Sequence, residues 1–90
     1  LLVQIPGWRL SEDGQRLVRN WRVFDFLTGL EFFGRIGTLA EREDHHPDLH
    51  LVNYREATVE LWTHTVKGLT QNDFIMAAKI NTLDQPRLKD

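Results

Sequence analysis

The apolar residues of this chain switch repeatedly between two periods, and the switching limits the folds open to it. Leu17, Trp21 and Val23 recur at even spacing, the period of a strand with one buried face. From Asp25 the spacing becomes three and four, through Phe26, Leu30, Phe33, Gly37 and Ala40, with Leu27, Ile36 and Leu39 widening the stripe. That is the period of a helix. The even period returns in Ala57, Val59 and Leu61, and a second helical set follows in Phe74, Ile75, Ala77, Ala78 and Ile80.

Punctuation sharpens this reading. Trp8 to Leu10 reads as a short strand, joined through Ser11-Glu12-Asp13-Gly14 to a second strand over Leu17 to Phe24. Asp25 is a helix cap, and Pro47 disfavours helical backbone at His46, so the first helix ends near Asp44. Leu49 to Val52 and Ala57 to Thr63 form a second hairpin around Asn53 to Glu56, and Thr70-Gln71-Asn72-Asp73 opens the second helix as a capping box. The expected order is strand-strand-helix-strand-strand-helix: a two-layer α+β domain, with helices packed on one face of a four-stranded antiparallel sheet. Gly29, Gly34 and Gly37 inside the first helix each cost about 1 kcal/mol relative to Ala, which predicts close packing against another backbone. The polar tail from Asp84 through Pro86 to Asp90 is expected to fray.

Ninety residues without a linker, repeat or low-complexity stretch make a single domain over 1–90. With no cysteine, neither disulfides nor thiolate ligands can staple a core this small, so burial against further copies is expected. A formal net charge of −2 supplies no global field for nucleic acid. Arg16, Arg19 and Arg22 are read as a charged strand face. No apolar run approaches the roughly 20 residues of a membrane helix, and no signal peptide is visible, although the chain starts at Leu1; a cytoplasmic protein is the default.

Three of the four histidines stand in a pattern: His45-His46-Pro47, four residues after Glu41, and His64 just past the last strand. Imidazole, with an ordinary pKa of roughly 6.5, both donates and accepts protons near neutrality. A protonated ring beside a neutral one is what loss of water requires: a donor for the leaving hydroxyl and an acceptor for the departing proton. Glu41 lies about one helical turn before His45, within reach of an imidazole or a ligand, and Glu43, Asp44 and Asp48 add negative charge. Plainer readings stand beside this one. A surface histidine pair ordinarily does nothing, His50 is an ordinary strand residue, and Asp73 serves a helix N-terminus. Trp62 suits a surface or interface as well as a ligand wall. Three imidazoles can hold zinc, but adjacent histidines rarely converge on one ion and no helical HExxH spacing is present, so no metal is expected.

The segment from Ala40 to Asp48, with Glu60 to His64 and Gly68 to Asp73, closely resembles the pterin-4a-carbinolamine dehydratase family, as do the Trp8 hairpin and Val23 to Phe26. The resemblance runs from Trp8 to about Asn81. It implies dehydration of 4a-hydroxytetrahydropterin (4a-hydroxytetrahydrobiopterin) to quinonoid dihydropterin, recycling the cofactor of aromatic amino-acid hydroxylases. By the same resemblance His45 and His64 are the acid–base pair, His46 binds and positions substrate, and Glu41 supports the pterin ring and the histidines. Asp44, Pro47, Thr63, Thr65 and Val66 line the pocket, and Asp73 and Trp62 support it from behind. No cofactor is implied, since the pterin is the substrate, and the expected assembly is a homodimer or homotetramer. The competing function is a non-catalytic dimerisation or assembly module of the same fold, such as a transcription coactivator or an enzyme-assembly factor. His46 and His64 are one residue further apart than in most of the family, which predicts a bulge or a longer turn between Val52 and Ala57, and little of the family's usual N-terminal helix precedes Trp8.

Overall fold

The computed structural model describes residues 2–90. After a single 3-10 turn at Leu2–Gln4 come β1 (Arg9–Leu10), β2 (Leu17–Arg22), α1 (Phe26–Glu43), β3 (Asp48–Val52), β4 (Glu56–Leu61) and α2 (Gln71–Thr82). The expected α+β order is observed. The strands form one antiparallel sheet in the order β1-β2-β4-β3, so α1 carries the chain from a central strand to the far edge.

Alternation decides the covered face. Leu17, Trp21 and Val23 from the first hairpin and Ala57, Val59 and Leu61 from β4 meet Phe32, Ile36, Leu39 and Ala40 of α1 and Met76, Ala77 and Ile80 of α2 in a single core. Trp21 anchors it, with Phe32 edge-on at a centroid distance of 4.9 Å and Trp8 edge-on at 6.3 Å. Deeply buried aromatic rings of this kind dominate the packing of a small core.

The buried stripe of α1 keeps Ile36, Leu39 and Ala40 of the expected set but is centred elsewhere at its N-terminal end. Gly29, Phe32, Ile36, Leu39 and Ala40 face the sheet, whereas Phe26, Leu27 and Leu30 are exposed. The apolar set on this helix is wider than one face, so periodicity alone cannot choose its centre. The glycines separate accordingly. A Cβ on Gly29 would sit 3.0 Å from Leu51 Cδ1 and 3.3 Å from Val23 Cγ2, so close packing is real there, against side chains and not backbone. Gly34 and Gly37 have nothing within 4 Å and show no such packing.

The arginines also divide. Their spacing of three puts Arg19 on the opposite side of the strand from Arg16 and Arg22. Arg22 pairs with Glu56 on the open face. Arg19 instead lies on the helix side, its guanidinium 4.6 Å from the Trp21 ring, donating to Asn81 Oδ1 and the Pro6 carbonyl, and burial lowers its pKa from the usual arginine value.

The C-terminal tail is tied down and not frayed. Phe24 N–H donates to the Arg87 carbonyl and Lys89 N–H to the Arg22 carbonyl, Val23 bridges Leu88, and Pro86 is buried. Backbone pairing of this sort depends little on side-chain polarity, which is why composition missed it. Between β3 and β4 the register is unbroken down to Val52 opposite Glu56, so there is no bulge. The turn is Asn53-Tyr54-Arg55, with Asn53 and Tyr54 at φ 50° and 54°.

Candidate active site

The three histidines arrive at one end of the sheet by two routes. Asp25 Oδ1 accepts the Thr28 N–H at 2.8 Å and starts α1, and Asp44 stops it by taking left-handed backbone at φ 51°. Short polar residues tolerate that conformation better than most. The Asp44 and His45 N–H groups both donate to the Ala40 carbonyl, turning the chain toward β3. Because β3 and β4 are antiparallel, the start of one lies beside the end of the other. Thr63 to Gly68 then close a turn, with Thr63 N–H donating to the Gly68 carbonyl at 2.8 Å, and His64 opens it.

His45, the most enclosed of the three, has its Nε2 2.6 Å from Asp73 Oδ1, and Asp73 is fully buried. A carboxylate only accepts, so Nε2 is the donating nitrogen, and in the neutral ring this leaves Nδ1 as the acceptor. The other Asp73 oxygen, Oδ2, accepts from Thr63 Oγ1 at 2.8 Å and from the Thr70 N–H at 2.9 Å. Asp73 thus caps α2 and orients His45 with one carboxyl group. The helix-capping role read from the sequence is correct, and the imidazole contact is additional.

His46 turns the other way, with Nε2 2.5 Å from Glu41 Oε2 in an exposed pair. Glu41 therefore braces His46, not His45. His64 has no side-chain hydrogen bond among the described residues; its ring packs on the Trp62 indole at a centroid distance of 4.2 Å and a tilt of 47°. Trp62 Nε1 in turn donates to Asp48 Oδ2 at 3.3 Å.

An open concavity of about 210 Å³ is lined by Asp44, His45, His46, Trp62, Thr63, His64 and Thr65. The structure thus gathers all three histidines with four of the other expected residues. Glu41 reaches the cleft only through His46, while Pro47 and Val66 are not part of its wall. Sequence reading passed over Arg16, whose guanidinium lies 4.4 Å from the Trp62 ring. The strand register holds the missing signal, since extending the pairing of Leu17 with Leu61 by one residue sets Arg16 opposite Trp62. Among the described residues no group of His, Asp or Glu side chains is arranged to hold a metal ion. Among them, too, no helix is long and apolar enough to cross a membrane.

Imidazoles at several points of one cleft, two of them braced by carboxylates, suit proton transfer to and from a bound small molecule. Comparison with known proteins assigns that chemistry to a family. The family model described as pterin 4 alpha carbinolamine dehydratase matches residues 1–83, and the chain belongs to that family of dehydratases, which are hydro-lyases. It is 53% identical over 85 residues to pterin-4-alpha-carbinolamine dehydratase 2, mitochondrial, of Arabidopsis thaliana, a match covering 92% of this chain and 46% of that protein. The chain therefore spans about half the length of this relative. A crystal structure described as a transcriptional coactivator/pterin dehydratase from Brucella melitensis superposes with a TM-score of 0.80 at 32% identity, covering 89% of this chain and 84% of that one. A pterin dehydratase-like protein identified as a RuBisCO assembly factor in the alpha-carboxysome shares the fold, with a TM-score of 0.67 at 15% identity over 87% of this chain and 89% of that one.

Proposed function

We propose that this chain removes water from a 4a-hydroxytetrahydropterin, 4a-hydroxytetrahydrobiopterin in the simplest case, to give the quinonoid dihydropterin. The observation that carries the reading is His45, braced through Nε2 on buried Asp73 while lining the same cleft as His46 and His64. Its free Nδ1 is an acceptor suited to the N5 proton of the substrate. His64, exposed and lining the same cleft, is the matching donor to the 4a-hydroxyl. The C4a–O bond breaks as the hydroxyl takes a proton and leaves as water. The N5–H bond electrons form the new C4a–N5 double bond, and His45 holds the proton released. His46, steadied by Glu41, binds and positions the ring, and Asp44, Thr63 and Thr65 supply polar walls.

Acid–base transfer of this kind contributes typically 10²–10⁴-fold without a metal or organic cofactor, and none is part of the reading. A cytoplasmic homodimer or homotetramer, acting on a pterin released by an aromatic amino-acid hydroxylase, completes it. The exposed Phe26, Leu27 and Leu30 on α1 support self-association.

The test follows dehydration of freshly generated 4a-hydroxytetrahydropterin by ultraviolet absorbance, with wild type and His45→Ala. Acceleration over buffer by the wild type, lost in a folded His45→Ala variant, is the expected result. If the wild type gives no acceleration, the enzyme reading falls and a non-catalytic assembly module of the same fold takes its place.

A further inference from the structure

Each histidine of the cleft needs something to aim it, and for His64 that group is not a hydrogen-bond partner. Among the described residues its ring packs on the Trp62 indole and makes no side-chain hydrogen bond. Trp62 is itself held from three sides. Its Nε1 donates to Asp48 Oδ2 at 3.3 Å, Arg16 lies over its ring at 4.4 Å, and its backbone continues from β4. Asp48 and Glu60 stand directly opposite each other across β3 and β4, an arrangement of like charges that is unfavourable alone. Arg16 Nη1 offsets it by reaching Glu60 Oε1 at 3.0 Å and Asp48 Oδ2 at 3.4 Å, and His50 Nε2 meets Glu60 Oε2 at 3.0 Å.

We propose that Arg16 and Trp62 are positioning residues for His64, Arg16 clamping the indole to the Asp48–Glu60 pair so that the indole fixes the imidazole at the rim of the cleft. The chemistry favours this order of support. A planar guanidinium both stacks on an aromatic face and forks between carboxylates, which an ammonium does less well. An imidazole held by ring contact keeps both ring nitrogens free for substrate, whereas a hydrogen-bonded one gives up one of them. His64 is thereby aimed without losing either nitrogen.

The inference rests on the proposed dehydratase reading, and its test separates the two. In the folded wild type, ring current from Trp62 shifts the His64 ring-proton NMR resonances from their free-histidine positions. Trp62→Leu is expected to abolish that shift, Trp62→Phe to retain part of it, and Arg16→Met to reduce it, with Arg16→Lys intermediate. In the dehydration assay Arg16→Met and Trp62→Leu are expected to lower kcat by about ten- to a hundredfold with KM little changed, the scale of a misaimed catalytic group. In a His64→Ala background Arg16→Met should cost nothing further, a result that a merely structural arginine would not give. Resonances unmoved by Trp62→Leu, or an equal kcat loss in both backgrounds, would overturn the proposal. A wild type without dehydratase activity sinks the parent reading instead, and the resonance shifts alone then decide whether Arg16 and Trp62 orient the ring. Should Trp62→Leu fail to fold, the Arg16 variants carry the same comparison.

Discussion

His45 and His64 face one cleft and are held by opposite physics. His45 is tied by a single short hydrogen bond to a carboxylate that is fully buried and engaged on its other oxygen by Thr63 and the start of α2. His64 is tied by ring contact to an indole whose own supports are partly exposed ion pairs on the open face of the sheet. The first arrangement is rigid, couples the site to folding, and commits one ring nitrogen. The second draws on groups at the open face of the sheet and leaves both nitrogens free. A proton donor and a proton acceptor working on one substrate have different needs, and the two ends of this cleft differ in the corresponding way.

The largest expected effect breaks the buried end. His45→Ala should lower dehydration kcat by roughly 10²–10⁴-fold, the usual worth of a general acid or base, measured by single-turnover absorbance in a variant whose melting curve remains cooperative. Asp73→Ala should lower that rate too and also destabilise the fold by about 1–3 kcal/mol, because it strips a buried acceptor from its donors. Urea unfolding reads the difference, and an unchanged midpoint would show that the carboxylate does not link the site to α2. Trp62→Leu, judged by the same urea midpoint, should cost less than Asp73→Ala.

Salt sharpens the contrast at smaller scale. Raising ionic strength to 1 M shortens the screening length to about 3 Å, which weakens the Arg16 pairs with Asp48 and Glu60. The His64 resonance shift should shrink while His45 resonances stay in place. Equal sensitivity of both rings would mean that the two are held by similar forces.

The smallest effect concerns Asp25, an exposed carboxylate that opens α1 and so indirectly positions His45. The hydrogen bonds from Thr28 lower its pKa from the ordinary carboxylate value. A group with a depressed folded-state pKa stabilises the fold fully above its unfolded value, about 3.9, and loses that contribution as pH falls through the lower folded one. Thermal melts from neutral pH into the acid range should therefore fall more steeply for the wild type than for Asp25→Asn, which still caps but does not titrate. Parallel acid limbs would remove Asp25 from the account.

Much of this was legible in the chain. The even and helical periods specify the element order because each burial pattern is a local property of side-chain direction. Asp25, Pro47 and the Thr70–Asp73 box mark helix ends because capping is local chemistry. The histidine pattern itself, with its resemblance to a dehydratase family, selected the residues that meet in the cleft.

What needed the fold was everything set by register and by competition between faces. Which stripe of α1 turns inward depended on Leu51 and Val23 fitting against Gly29. The tail pairs through backbone groups that carry no side-chain signature. Arg16 joined the site because the register of β2 on β4 sets it opposite Trp62, far along the chain. The sequence by itself determined the elements and the chemistry of the cleft's side chains, since both follow from neighbours along the chain. Only the tertiary structure decided which group aims each histidine, since hydrogen bonds and ring contacts are made between residues that meet after the chain has folded.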